Sequence, residues 1–215
     1  MPTDQSLNDI KIGDIIFGIA AGGQEKLLLV YAADKEGFWT RQVTSQTTAK
    51  FGRDGRSRWV EGGGSCTIVS TAQLPSDLYD LALGLDRKIA ARPEYPHSRL
   101  SKDEVRLVLT HDKFFKAHLL PGTESIVIAA EKVNSVRHAL FLEWDLIDAL
   151  GNPPMWDEYL SDLPALVDLL DRSPSVDLVA DFLAGMASRR SRTLEVAGRG
   201  KAAAASLLRL RETWT

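Results

Sequence analysis

Residues 13–72 read GDIIFGIAAGGQEKLLLVYAADKEGFWTRQVTSQTTAKFGRDGRSRWVEGGGSCTIVSTA. Short apolar runs alternate there with Gly and Asp punctuation, the pattern of a small antiparallel barrel. Strands are expected at 14–20, 26–32, 38–44, 57–61 and 65–71. Gly22-Gly23 and Lys35-Glu36-Gly37 mark hairpin turns, and Gly62-Gly63-Gly64 a further turn or bulge. The glycine triplet is no phosphate-binding loop, because no Gly-Lys-Ser/Thr follows it. The segment 47–65 reads as a loop that is both basic and aromatic. Lys50, Arg53, Arg56 and Arg58 in it, opposed by Asp54, stand with Arg41 among Phe38, Trp39, Phe51 and Trp59. That mixture suits a phosphate backbone with unstacked bases.

Outward from this stretch, Ser76 is expected to cap a helix over 76–89 with Leu78, Leu81 and Leu85 on one face. RPEYPHS at 92–98 reads as a linker, since its two prolines stop a helix. Ser101 and Glu104 form a capping box before a helix running to about residue 119. SIVIAA at 125–130 and ALFLEW at 139–144 read as a short strand pair. Helices are expected over 155–172, 175–190 and 199–212, with Ser173-Pro174-Ser175 as a break and cap. The fold class is therefore α+β: a small antiparallel β-barrel closed by a helix over 1–92, then an α-rich module with a short strand pair over 98–215.

The chain has 215 residues, and 44% of them are hydrophobic, enough for a real core. The net charge of -3 conceals an asymmetry. From Glu143 to Asp181 ten acidic residues face one base, Arg172, while 189–211 is strongly basic. Such blocks imply a contact between the two or separate partners. The lone Cys66 excludes a disulfide within the chain and suits a reducing compartment. MPTDQSLND is too polar for a leader, and no apolar run nears the ~18 residues that span a bilayer. A cytoplasmic protein is expected. His111 and His118 share a helical face beside Asp112, but no third ligand has suitable spacing, so neither a metal nor a cofactor is implied.

The order of elements in the first third resembles the PemK/MazF family of bacterial ribonuclease toxins. Gly13-Asp14 leads into the first strand, and LLLVY at 27–31 matches the family's buried second strand. VTSQ at 43–46 matches its Thr/Ser-rich third-strand end, and LPSDLYDLALGLDRKI at 74–89 its closing helix. The resemblance implies an SH3-like barrel, a metal-independent endoribonuclease of the toxin–antitoxin type, and a homodimer. Two departures favour kinship of fold over retained cleavage. Glu25-Lys26 stands where the family has an Arg-Pro pair, and CTIVSTA carries no charged side chain.

Metal-independent RNA cleavage needs a base for the 2′-OH, a donor to the leaving oxygen and positive charge on the phosphate. Arg41, Thr44 and Ser45 are the catalytic candidates, although arginine is a poor base and no histidine occurs in the first 90 residues. Lys50, Phe51, Arg53, Arg56, Arg58 and Trp59 are the nucleic-acid-binding candidates. RNA is the expected partner. The alternative is a non-enzymatic interaction protein, an adaptor or immunity-type inhibitor, that binds through the acidic segment 143–181.

Overall fold

The computed structural model describes residues 6–91, 113–144, 159, 161–189 and 196–214. The chain divides into two compact units, residues 1–130 and 131–215. The architecture is mixed α+β. In the first unit six strands form one antiparallel sheet: β1 (Ile15–Ala20), β2 (Glu25–Ala33), β3 (Gly37–Gln42), β4 (Thr48–Gly52), β5 (Ser57–Val60) and β6 (Cys66–Ser70). Their spatial order is β5-β4-β3-β2-β1-β6. The sheet curls until its edges touch. Arg56 bridges Thr67, and the Ile68 N–H donates to the Gly55 carbonyl at 2.8 Å.

Register decides which side chains share a face, because strand side chains alternate. Ile15 lies opposite Leu29, Leu29 opposite Arg41, Trp39 opposite Lys50 and Lys50 opposite Trp59. Their neighbours Ile16, Leu28, Val30, Phe38, Phe51 and Ile68 point the other way and form the buried inner core. The Phe38 and Phe51 rings stack there with centroids 5.5 Å apart. Gly37 permits the β3–β4 approach, since a Cβ there would lie 2.0 Å from the Phe51 carbonyl oxygen. The outer face is covered at its β1 end, where Phe17 stacks on Phe115 at 5.1 Å. The Leu120 N–H donates to the Val69 carbonyl at 2.8 Å, so the segment after the turn of helix at 113–116 is tied to β6.

Helix α1 (Ser76–Ala90) forms where expected, but its boundary and buried stripe differ from expectation. Pro75 is the N-cap residue and no side chain caps the helix, so Ser76 does not serve. The buried positions are Ala82, Leu85, Asp86 and Ile89, not the Leu78–Leu81–Leu85 stripe. A carboxylate inside the stripe rotates the helix away from what apolar periodicity suggests. The strand expected at 57–61 forms as β5, but the residues before it are not all loop: β4 pairs with β5 in a hairpin, and β4 is hard to read because only Ala49 and Phe51 mark its inward face.

The strand pair at 125–130 and 139–144 is also corrected. Those residues lie in α2 (Glu124–Ala139) and a π-helical turn, Leu140–Trp144. The β-branched SIVIAA run suggests a strand, yet burial recurs at Val127, Ala130, Asn134, Arg137, Phe141 and Trp144. Steps of three and four are the helical period, so burial overrides local propensity.

In the second unit α3 (Leu163–Asp171), α4 (Val176–Arg189) and α5 (Val196–Arg211) surround a core of Phe141, Trp144, Tyr159, Leu163, Leu166, Leu170 and Leu183. The Ser175 hydroxyl accepts from the Leu178 N–H at 3.2 Å and caps α4. Arg189 pairs with Asp162 at 2.6 Å, Lys201 with Asp177 at 2.9 Å and Lys132 with Asp171 at 2.9 Å. Residues 92–112, with the linker at 92–98, the Ser101–Glu104 box, His111 and Asp112, lie outside the described residues. Among the described residues no helix is long and apolar enough to cross a membrane.

Candidate nucleic-acid interface

Arg41, Thr44 and Ser45 lie at the end of β3 and in the turn after it, each engaged by its neighbours. The Arg41 guanidinium donates to both oxygens of Asp86, from Nε at 2.8 Å and Nη2 at 2.5 Å. Asp86 sits on the buried stripe of α1 and is only 2% exposed. Gln46 donates to the same carboxylate at 3.1 Å. The hydrogen bond to Asp86 raises the Arg41 guanidinium above its ordinary value, so it stays charged and is no proton acceptor. Thr44 is buried and accepts from Gln42 Nε2 at 3.0 Å. The Ser45 and Thr47 hydroxyls bond each other at 2.8 Å. The Thr/Ser-rich stretch thus staples the β3–β4 turn, where Gln46 adopts a positive φ of 61°.

The six residues chosen from the basic stretch part company. Phe51 is fully buried in the inner core. Arg53 is structural: it donates to the Leu7 carbonyl at 2.7 Å and to the Asp34 carbonyl, and lies over the Phe38 ring. Arg56 and Arg58 are exposed at the hairpin tip. Asp54 pairs with Arg58 at 2.8 Å. The Arg56 backbone N–H, and after it Arg58, hold the Asp54 carboxyl below its usual range. An exposed pair of this kind contributes roughly 0–1 kcal/mol and yields readily to a phosphate.

Lys50 and Trp59 are brought together on the outer face with Trp39, which the sequence places in the same basic and aromatic mixture but outside the six binding candidates. Trp39, Lys50 and Trp59 are successive cross-strand partners across β3, β4 and β5. The Lys50 ammonium lies 4.4 Å from the Trp39 ring centroid. Trp59 is 54% exposed. Tyr31, bulged out of the β2–β3 ladder between Val30 and Ala32, is 42% exposed and adds a third ring to the same side. The signal for Trp39 was present in the alternation of GFWTRQ, but it acquires a row only once β4 is recognised as a strand.

The acids around this row are already occupied. Glu61 accepts from the Thr48 N–H at 2.9 Å, and Asp34 from Glu36 and Gly37 N–H groups at 2.8 and 3.0 Å. The Trp59 ring and the Arg56 and Arg58 side chains are exposed, while Lys50 lies over the Trp39 ring. No family model matches this chain, and neither a curated protein nor a solved structure matches it. The site therefore stands on its own chemistry.

Other reactive groups lie elsewhere. Burial pushes the Cys66 thiol up to about 12, so it stays protonated at neutral pH and is no nucleophile. The His118 ring rests on Phe114 and bonds the Phe114 carbonyl at 2.9 Å. Among the described residues no group of three His, Cys, Asp or Glu is placed to hold a metal ion.

Proposed function

We propose that this protein binds single-stranded RNA across the outer face of β2–β5 and does not cleave it. The observation that carries the reading is the Trp39–Lys50–Trp59 row across β3, β4 and β5, with Trp39 and Lys50 half-buried, Trp59 exposed, and the exposed Arg56 and Arg58 beside it. Flat rings spaced by cations suit unpaired bases joined by phosphates, and a duplex hides its bases from such a surface. The Arg41–Asp86 pair and the absence of a histidine in the first 90 residues speak against catalysis. An SH3-like closure and kinship with the PemK/MazF barrels belong to the same reading. They are supported by the edge contact between β5 and β6 and by Gly13-Asp14 leading into β1. A reducing cytoplasm suits the lone, buried Cys66. In the acidic-segment alternative, Asp162, Asp171 and Asp177 pair with Arg189, Lys132 and Lys201.

Titration of a labelled oligo(U) into the full chain tests this. Trp59→Ala is expected to weaken binding roughly 5- to 150-fold, from ~1–3 kcal/mol per stacked base. The oligomer is expected to remain intact. Wild-type affinity in Trp59→Ala contradicts the binding face, and RNA fragments contradict the absence of cleavage.

A further inference from the structure

We infer that the cleft at the start of β1 is a pocket for one unpaired base at the end of the RNA strand laid over the tryptophan row. This rests on the RNA reading above. The cleft has a volume of about 260 Å³ and is lined by Lys11, Ile12, Gly13, Asp14, Gln73 and Tyr79, among others. It falls just short of the roughly 300–1,000 Å³ of drug-sized sites, so it takes a single base and not a stacked pair.

Its position is fixed by register. Ile15, which also lines the cleft, shares the outer face with Leu29 and Arg41. One step along the strands, the next row runs from Gly13 past Tyr31 to Trp39, Lys50 and Trp59. The Gly13 N–H bonds the carbonyl of Val30, the residue before Tyr31, at 2.9 Å. From β1 to β5 are four interstrand spacings, ~19 Å along the sheet. That reach fits the ~4 nucleotides at the low end of single-strand sites on small barrels.

The walls are already built. The Tyr79 hydroxyl donates to the Gly13 carbonyl at 2.8 Å, and Asp14 accepts from the Lys11 N–H at 2.8 Å. Gly13 holds a φ of 95°, which a residue with a side chain rarely adopts. Ile12 stands 66% exposed on the cleft and offers an apolar surface to a base. Lys11 supplies charge for its phosphate.

Affinities of an oligo(U) of about three nucleotides and one of about eight test the pocket, in the wild type, Ile12→Glu, Ile12→Gln and Trp59→Ala. One lost base contact predicts about a tenfold loss for Ile12→Glu with the longer oligomer, and a smaller loss for Ile12→Gln. The shorter oligomer, seated on the tryptophans alone, is expected to keep its wild-type affinity in both. Ile12 is exposed, so the thermal midpoint should not move. If both Ile12 variants bind the longer oligomer normally while Trp59→Ala does not, the pocket is overturned and the RNA face stands. If Ile12→Glu weakens both lengths equally, the effect is general repulsion and the pocket is likewise overturned. If Trp59→Ala binds as the wild type does, the RNA reading itself falls.

Discussion

Replacing Arg41 with alanine is expected to destabilise the first unit by ~3–5 kcal/mol, because the change strands a buried carboxylate. Asp86 is 2% exposed and receives two bonds from Arg41 and one from Gln46. Without the guanidinium, Asp86 loses both of those bonds and keeps the one from Gln46. The reverse deletion is milder. Arg41 is 34% exposed, so in Asp86→Ala its charge can still hydrate. Replacing both partners with apolar residues of similar volume, Arg41→Met with Asp86→Leu, is expected to recover most of the loss. Urea unfolding of the three variants checks the order. An Arg41→Ala cost below ~1 kcal/mol contradicts the account. The prediction also changes how any functional defect of Arg41→Ala is to be read, since a missing activity would report a loosened α1.

Phe51→Ala is expected to cost a similar ~3–5 kcal/mol, for a different reason. The ring is fully buried and stacks on Phe38 in the inner core, so truncation leaves a cavity walled by Val30, Ala49 and Ile68. Phe51→Leu keeps much of the volume and should cost less. Lys50, one residue away, faces outward beneath Trp39, and its replacement by alanine should scarcely move the unfolding midpoint. Denaturant midpoints for the adjacent pair thus check the assigned faces. A register slipped by one residue would exchange the two results.

Strands with strong apolar runs, such as GDIIFGI and EKLLLVYA, announce themselves. β4 does not, because Thr48, Lys50 and Gly52 dilute its two inward residues. Missing it cost the tryptophan row, since a row exists only when three strands are in register. Phe51 and Arg53 look like ligands for RNA in a loop, yet in a hairpin one fills the core and the other ties the β4–β5 corner to the Leu7 and Asp34 carbonyls. Asp86 gave no local signal at all. Its role is set by Arg41, 45 residues away. The SIVIAA run shows the opposite failure, where a clear local preference for strand yields to a helical burial period.

The slope of log affinity against log salt for the wild-type chain and single-stranded RNA decides whether the outer face of the sheet holds a charged strand. Each phosphate neutralised on a single strand contributes about -0.7 to that slope. With Lys50, Arg56, Arg58 and Lys11 facing the strand, the account predicts a slope of about -2 to -3, with tryptophan emission quenched as the bases stack. A flat salt dependence with unquenched emission would contradict it.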